Sequence, residues 1–463
     1  MNNNAASCKN REAYQGTALF TKHHNANRDS WQTGLNNNTL VLGCSGSGKT
    51  RNHLKPNLMQ CNGSYIVLDT KGTLYDEMGA YLALNGYQVD QLDFTTMGGT
   101  CGYDPLQQVR FENGRPNQQD MIAIASAICP REDQGSDPFW GTAAANYLTS
   151  YIAYVFEAMP QRKWSLASVI ELFSKGSAKI QSLFNELEVQ KPNSFAAALH
   201  NRSRQTAVAE RMHASIMGII AANLLPFGFE SALDSYQTRP TIDFASFGRQ
   251  KRALFVTISD LDRSLDSLTS MFVSQAFTRL CESADKDYPD HRLPVPVQFI
   301  LDDFANLNLP NIDDVLAVIR SREISATIIC QTVSQLEARY GEAAANSIIG
   351  NCDRQLVLAF QDVQTANYFR VRANKPASTL LETPANRWWL FERGSRGLCD
   401  DAYRLEDHPD YPFLQAVQER KNQLCTEPEY HLEVEEALCE QMSLDEISNL
   451  ENEAFDPEFW NAA

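Results

Sequence analysis

Residues Gly43–Thr50 have the composition and spacing of a phosphate-binding loop, Gly-x-x-x-x-Gly-Lys-Thr. Glycines at this spacing let the backbone curve closely, so that its N–H groups face a bound phosphate. Lys49 is expected to contact the β- and γ-phosphates of ATP, and Thr50 to place its hydroxyl on Mg²⁺. The alternative is a glycine-rich turn that binds no nucleotide. The predicted nucleotide contacts are Gly43, Ser45, Gly46, Ser47, Gly48, Lys49 and Thr50.

Two adjacent carboxylates follow another apolar segment and would complete a metal site. The segment Val297–Leu301 is apolar except for Gln298, and it ends at Asp302 and Asp303. A phosphate loop needs a carboxylate on a neighbouring strand to hold the water shell of the metal ion. We therefore predict that Thr50 and Asp302 bind the metal and that Asp303 polarises the attacking water. The alternative is that the two acids merely begin a loop.

Three polar residues near a further apolar segment are additional catalytic candidates. Gln331 follows the predicted strand Thr327–Cys330. Its amide would reach the γ-phosphate or the attacking water there, or else it is a solvated loop amide. Arg320 and Arg322 end the preceding helical stretch. They either complement the dipole of that helix or supply an arginine finger to the nucleotide site of the next subunit.

Basic residues elsewhere allow two interpretations each. Lys71, in the segment Asp69-Thr70-Lys71-Gly72, is equally consistent with a phosphate or nucleic-acid contact and with an ordinary surface lysine. A basic cluster in a helical region is either a solvated helix face or a contact to a nucleic-acid backbone. Its members are His200, Arg202, Arg204, Arg211 and His213.

The elements around these residues predict an α/β fold, because short apolar strands alternate with helical stretches at the spacing of a parallel sheet. The expected strands are Thr39–Leu42, Tyr65–Leu68, Tyr87–Leu92, Ala253–Ile258, Val297–Leu301, Thr327–Cys330 and Gln355–Phe360. Strand signals are absent from Gln118 to Gly228, where Ala-, Leu- and Ile-rich stretches have helical spacing. The expected division is a polar segment at 1–35, a nucleotide-binding domain at 36–117 and 236–400, an all-α domain at 118–235 and an acidic tail at 401–463.

The net charge of −17 is mostly a property of the tail. Residues 401–463 carry 17 acidic and 3 basic residues, which leaves a net charge of −3 on the other 400 residues. An anionic partner is therefore not excluded. The chain has no run of ~18 apolar residues and no signal peptide. Its 11 cysteines form no Cys-x-x-Cys pair, which indicates buried thiols in a reducing cytoplasm.

The ordered motifs together resemble the conjugative coupling proteins of type IV secretion systems, over roughly residues 14–400. Besides the phosphate loop, the matching segments are Gly16-Thr17-Ala18, Asp69-Thr70-Lys71-Gly72, Tyr103-Asp104-Pro105-Leu106, Asp137-Pro138-Phe139-Trp140, Asp302–Leu307, Arg320-Ser321-Arg322, Gln331–Leu336, Tyr340-Gly341 and Asn351-Cys352-Asp353. The resemblance implies a hexameric ATPase with a RecA-like motor domain and an all-α domain. It also implies that Lys49 and Thr50 bind ATP and Mg²⁺, that Asp302 lies on the metal side, that Gln331 senses the γ-phosphate, and that Arg320 rather than Arg322 is the finger.

The same resemblance implies the partners and the location. The partners are single- or double-stranded DNA, relaxase and relaxosome proteins bound by the all-α domain or the tail, the ATPases and inner-membrane components of the secretion channel, and further copies of the chain in a homo-hexamer. The location is cytoplasmic, at the inner face of the cell membrane. The function is recruitment of relaxase-bound single-stranded DNA to the channel during conjugation, driven by ATP.

The chain departs from the family pattern in two places. The family usually has Glu where Asp303 stands, and Asp is one methylene shorter. Slow hydrolysis would follow, so the alternative function is a nucleotide-binding substrate receptor or adaptor with little turnover. The family also usually has membrane helices before the position of Gly16, whereas fifteen residues precede it here. The chain is then either a naturally soluble member or one without its membrane part.

The acidic tail has one helix signal. Ser443-Leu444-Asp445-Glu446 matches a capping box, and apolar Ile447 and Leu450 follow at helical spacing. We expect residues 430–463 to be a partly helical docking element for a basic partner such as a relaxosome protein. The alternative is a disordered, solubilising tail.

Overall fold

The structure is a computed structural model that describes residues 16–130, 137–207, 209–259 and 262–424. The chain divides into two units, each with its own internal packing. Of the described residues, the first unit takes those up to Gln91, Phe244–Ile258 and those from Leu280 onward, and the second takes those within Leu92–Asp243 and Ser259–Arg279. The five-part division expected from the sequence stays a prediction.

Apolar segments of four to seven residues form the central strands. Over the described residues the strands are β1 Thr17–Thr21, β2 His24–Asn27, β3 Thr39–Leu42, β4 Ser64–Asp69, β5 Gln88–Asp93, β6 Gly98–Gly99, β7 Phe111–Glu112, β8 Arg115–Pro116, β9 Arg252–Thr257, β10 Val297–Leu301, β11 Ile324–Cys330, β12 Arg354–Val357, β13 Arg387–Glu392 and β14 Leu398–Asp401. Strands β3, β4, β10 and β11 are buried along their whole length, which suits a sheet covered on both faces.

In the first unit the sheet has the order β14-β13-β12-β3-β11-β10-β4-β9, continued by β5. The strands from β12 to β9 pair in parallel, while β13 and β14 add an antiparallel edge. Leu42 lies opposite Cys330, and Leu301 lies opposite Leu68. The residues that follow these ends therefore share one edge of the sheet, called the carboxyl edge below. They are Gly43, Asp69, Asp302 and Gln331.

Helices flank the strands and fill the second unit. Over the described residues they are α1 Ser30–Thr33, α2 Lys55–Met59, α3 Leu74–Leu84, α4 Gln118–Ile128, α5 Phe139–Ala158, α6 Leu166–Phe173, α7 Ser177–Gln190, α8 Phe195–Thr206, α9 Glu210–Leu224, α10 Glu230–Thr238, α11 Asp266–Asp287, α12 Ile312–Val318, α13 Val333–Tyr340, α14 Glu342–Gly350, α15 Val363–Ala373, α16 Ala377–Leu381 and α17 Tyr411–Leu424.

Helix α5 is the centre of the second unit. It is buried along most of its length and packs against α4, α6, α8 and α9. Side-chain caps fix where its neighbours begin: Asn117 caps α4, Ser165 caps α6 and Ser194 caps α8. In the part of the chain that the structure describes, no single helix is long and apolar enough to cross a membrane. The helical segments Glu210–Phe227 and Glu230–Thr238 meet the length and composition test only as a pair bent by 69°.

The predicted strands are confirmed, two of them with the predicted bounds and the others with shifts of one to three residues at their ends. The prediction Gln355–Phe360 is too long, because β12 stops at Val357 and the carbonyl of Ala359 accepts a hydrogen bond from Cys44 instead. The helical character of the stretch from Gln118 to Gly228 is also confirmed over its described residues. The β1–β2 hairpin and the edge strands β13 and β14 were not predicted.

Candidate nucleotide-binding site

The phosphate loop leaves β3 at Leu42 and enters a π-helical turn at Lys49–Leu54, which continues into α2. Gly46 and Gly48 have φ angles of +78° and +94°, a region that glycine enters without strain. Gly43 is required for space, since a Cβ there would lie 2.8 Å from Leu358 Cβ and 2.5 Å from Ser47 Oγ. These glycines give the loop the tight curvature that the sequence predicted.

Neighbouring strands hold the start of the loop. The Gly43 N–H donates to the Cys330 carbonyl at 3.3 Å, and the Cys44 N–H donates to the Ala359 carbonyl at 3.0 Å. The Lys49 ammonium donates to the carbonyls of Gly43 at 2.7 Å and Cys44 at 3.0 Å. The amine therefore lies over the mouth of the loop, where a phosphate bound by the N–H groups would be within its reach.

Asp302 faces the loop from the neighbouring part of the carboxyl edge. It is only 8% exposed, and the Thr50 hydroxyl donates to its Oδ2 at 3.5 Å. Burial raises the pKa of Asp302 to about 6, with Asp303 adding to the effect and Lys49 opposing it. A hydroxyl and a buried carboxylate are hard oxygen ligands, so this pair fits Mg²⁺. Ser47 Oγ is buried beside the loop and has no hydrogen-bond partner among the described residues.

Asp303 points to a different partner. Its backbone is left-handed, with φ +46°, and its N–H donates to Asp302 Oδ1 at 3.0 Å. Its carboxylate oxygen Oδ2 accepts a hydrogen bond from the Thr70 hydroxyl at 3.1 Å. The side chains of the two adjacent acids thus face different elements: Asp302 faces Thr50, and Asp303 faces the turn that follows β4.

Gln331 and Lys71 also lie along the carboxyl edge. Gln331 is half-buried and directly follows Cys330, whose carbonyl holds the loop through Gly43. The structure therefore places Gln331 beside the phosphate loop. Lys71 is exposed after β4, and the contact predicted for it remains open.

The comparison with protein families decides the identity. A family described as type IV secretory system conjugative DNA transfer matches residues 3–373. The chain belongs to this family. It is 21% identical over 335 residues to the protein VirD4 of Rhizobium radiobacter, which covers 71% of this chain and 47% of that protein. It is 20% identical to the VirD4 of Agrobacterium fabrum, covering 71% and 48%. The chain thus spans about half the length of the curated relatives it matches.

Solved structures confirm the predicted α/β fold with a RecA-like domain. The unbound conjugative coupling protein TrwBdeltaN70 aligns with a TM-score of 0.59 at 14% identity, over 85% of this chain and 91% of that chain. TrwB in complex with ADP and Mg²⁺ aligns with a TM-score of 0.54 at 13% identity, over 79% and 85%. VirB4 of Thermoanaerobacter pseudethanolicus aligns with a TM-score of 0.50 at 15% identity, over 84% and 96%.

The two finger candidates of this family member lie away from the loop. Arg320 and Arg322 are in the turn before β11, whereas Gln331 and the loop are at its other end. Arg322 forms two hydrogen bonds with the Asp285 carboxylate, at 2.9 and 2.8 Å. Arg320 donates to the Ser30 carbonyl at 2.7 Å. The structure therefore does not bring these arginines to the phosphate loop of their own chain.

Only some residues of the basic cluster in the second unit lie on the surface. Arg202, Arg204 and Arg211 are exposed, but His200 is 2% exposed. The His200 ring stacks on Phe184 with the ring centroids 3.9 Å apart. Including His200 in a solvated or DNA-facing cluster was wrong, because its apolar neighbours come from other helices and are invisible in the local sequence.

The tail residues 430–463 and the capping box Ser443–Glu446 lie outside the described residues.

Proposed function

We propose that this chain is an ATP-driven coupling protein that recruits relaxase-bound single-stranded DNA to a type IV secretion channel during conjugation. The observation that carries this proposal is that Lys49 and Thr50 of the phosphate loop lie with Asp302 at the carboxyl edge of the sheet, in a chain of this family. ATP is the proposed substrate. The N–H groups of the loop and the Lys49 ammonium hold its phosphates.

Mg²⁺ is the proposed metal ion, held by the Thr50 hydroxyl and by Asp302 directly or through water. When bound, it neutralises charge that develops on the phosphate oxygens. That TrwB has been solved with ADP and Mg²⁺ supports both assignments. Asp303 orients and deprotonates the attacking water, and Gln331 contacts the γ-phosphate or that water.

The partners and location follow from the family and are part of the proposal. The chain acts as a homo-hexamer on single- or double-stranded DNA, at the inner face of the cell membrane. The helical second unit or the acidic tail receives relaxase and relaxosome proteins. The ATPases and inner-membrane components of the secretion channel receive the DNA.

Steady-state ATP turnover with and without single-stranded DNA tests the proposal. Lys49→Ala removes the ammonium that neutralises the phosphates, and Asp302→Asn removes the metal-side carboxylate. We expect each to lower DNA-stimulated turnover by about a hundredfold or more. Lys179→Ala, at an exposed lysine of the second unit, serves as the control and should leave turnover unchanged. DNA-stimulated turnover that survives Lys49→Ala would overturn the proposal.

A second candidate is a nucleotide-binding receptor or adaptor with little turnover. The short carboxylate of Asp303, where this family usually has Glu, favours it. Turnover that is slow, insensitive to DNA and raised by Asp303→Glu would favour the adaptor. Brisk turnover in the unmodified chain, not exceeded by Asp303→Glu, would exclude it.

A further inference from the structure

The hydrogen bond between Thr70 and Asp303 joins two strand ends that are far apart in the sequence. Thr70 Oγ1 donates to Asp303 Oδ2 at 3.1 Å. Strands β4 and β10 are parallel, with Leu68 opposite Leu301. Thr70 and Asp303 each lie two residues beyond that pair, so the register of the sheet places them side by side.

The turn that carries Thr70 is held by hydrogen bonds and by close packing. Asp69 is 3% exposed, and its two carboxylate oxygens accept from the N–H groups of Lys71 at 3.0 Å and Leu74 at 2.7 Å. Gly72 has φ +67° and lies so close to Thr257 that a Cβ would be 2.9 Å from its Cγ2. These contacts therefore fix the position from which the Thr70 hydroxyl donates its hydrogen bond to Asp303.

The carboxylate of Asp303 depends on a hydrogen bond to hold its position more than the carboxylate of a Glu would. Its side chain has one methylene fewer than Glu, so the position of its carboxylate depends on the backbone at φ +46° and on whatever holds the oxygen atoms. The Thr70 hydroxyl holds Oδ2 and leaves Oδ1 to accept a proton from water. Asp302 does not compete for this hydroxyl, since Asp302 Oδ2 faces Thr50.

We infer that Thr70 is a positioning residue for the water-activating carboxylate. Its hydroxyl holds the carboxylate of Asp303 in the position from which it can activate the water, although Asp is one methylene shorter than Glu. This inference rests on the proposed ATPase function. Thr70 acts through Asp303, since its hydroxyl donates to Asp303 while Asp302 Oδ2 accepts from Thr50. Its loss should therefore change the rate of hydrolysis and leave nucleotide binding unchanged.

The experiment compares Thr70→Val, which keeps the shape and removes the hydroxyl, with Thr70→Ser, which keeps the hydroxyl. DNA-stimulated ATP turnover is measured on the full chain. We expect Thr70→Val to lower kcat about tenfold with KM for ATP within about twofold, and Thr70→Ser to stay within about twofold of the unmodified chain. In an Asp303→Asn background, Thr70→Val should cause no further loss, because the two residues act as one unit.

Four outcomes would overturn the inference. Equal kcat for Thr70→Val and the unmodified chain would leave the hydroxyl without a role. A higher kcat would mean that the bond withholds Asp303 from the water. Equal losses in Thr70→Val and Thr70→Ser, or an unchanged effect in the Asp303→Asn background, would mean that Thr70 matters only for packing. Thr70→Ala is measured in parallel, so that misfolding of one variant does not decide the result. Turnover that is absent, or that survives Lys49→Ala, would instead refute the proposed function and the inference with it.

Discussion

At the scale of single residues, the adjacent acids Asp302 and Asp303 have different hydrogen-bond partners because their backbones differ. Asp302 extends β10 toward Thr50, whereas the left-handed Asp303 turns toward Thr70. The pair Asp302-Asp303 is visible in the sequence. The partner of Asp303 is not, since 233 residues separate it from Thr70 and no local pattern links them.

The burial of His200 gives the second unit a dependence of its stability on pH. Burial lowers its pKa to about 4, and the nearby charges of Arg204 and His213 add to the effect. It packs against the rings of Phe184, Tyr147 and Tyr151. Neither ring nitrogen has a hydrogen-bond partner among the described residues. The imidazole is therefore neutral in the folded chain at pH 5, where an unfolded histidine is protonated.

This burial makes the second unit less stable in acid. Above pH 6.5 both states hold a neutral imidazole, so His200 contributes no pH dependence. Between pH 6.5 and about 4 only the unfolded state binds the proton, and the free energy of unfolding falls by up to roughly 3 kcal/mol as the pH falls. We expect faster amide hydrogen exchange in Phe195–Thr206 at pH 5 than at pH 7.5, after correction for intrinsic rates. His200→Phe should reduce this pH dependence, and an identical dependence in both proteins would contradict the prediction.

At the scale of elements, the phosphate loop depends on contacts from the end of β11 and from the residues just after β12. Gly43→Ala would place a Cβ 2.8 Å from the Cβ atom of Leu358, the residue just after β12. The loop must then move away from its support. We expect a loss of about 1–3 kcal/mol in ATP binding, or roughly a ten- to hundredfold weaker affinity.

Equilibrium binding of a fluorescent ATP analogue measures this loss. Gly350→Ala, where a Cβ meets nothing within 4 Å, is the matched control and should bind normally. Equal affinity in both variants would mean that the loop tolerates the displacement.

The parallel strands were predictable because each is an apolar run that ends in a polar or glycine residue. Thr39–Leu42 and Val297–Leu301 have the predicted bounds. That pattern predicts that the residues after the strands share the carboxyl edge of the sheet. It therefore also predicts that Lys49 and Asp302 lie near each other. The burial of His200 was not predictable, because the rings that enclose it come from separate helices. The end of β12 at Val357 depends likewise on a tertiary contact, the hydrogen bond from Cys44 to Ala359.

At the scale of the whole molecule, the position of Arg320 has a consequence for assembly. Strand β11 has seven residues and separates Arg320 from Gln331 by ~20 Å. If Arg320 stabilises the transition state, it must do so in a neighbouring subunit. Arg320 makes one hydrogen bond to a backbone carbonyl, whereas Arg322 makes two to Asp285, so Arg320 is released at lower cost.

Mixing two inactive variants tests this arrangement. Arg320→Ala should lower DNA-stimulated kcat by about a thousandfold, as loss of an arginine finger does. Mixed with Lys49→Ala subunits, it should regain activity, because an Arg320→Ala subunit keeps its own Lys49 and receives Arg320 from a Lys49→Ala neighbour. Random assembly of a ring with independent sites restores about a quarter of the normal turnover. The same mixture with Arg322→Ala is the control, since that variant should retain turnover by itself. An Arg320→Ala mixture that stays inactive, while each variant still assembles with ATP and DNA, would rule out a finger supplied by the neighbouring subunit.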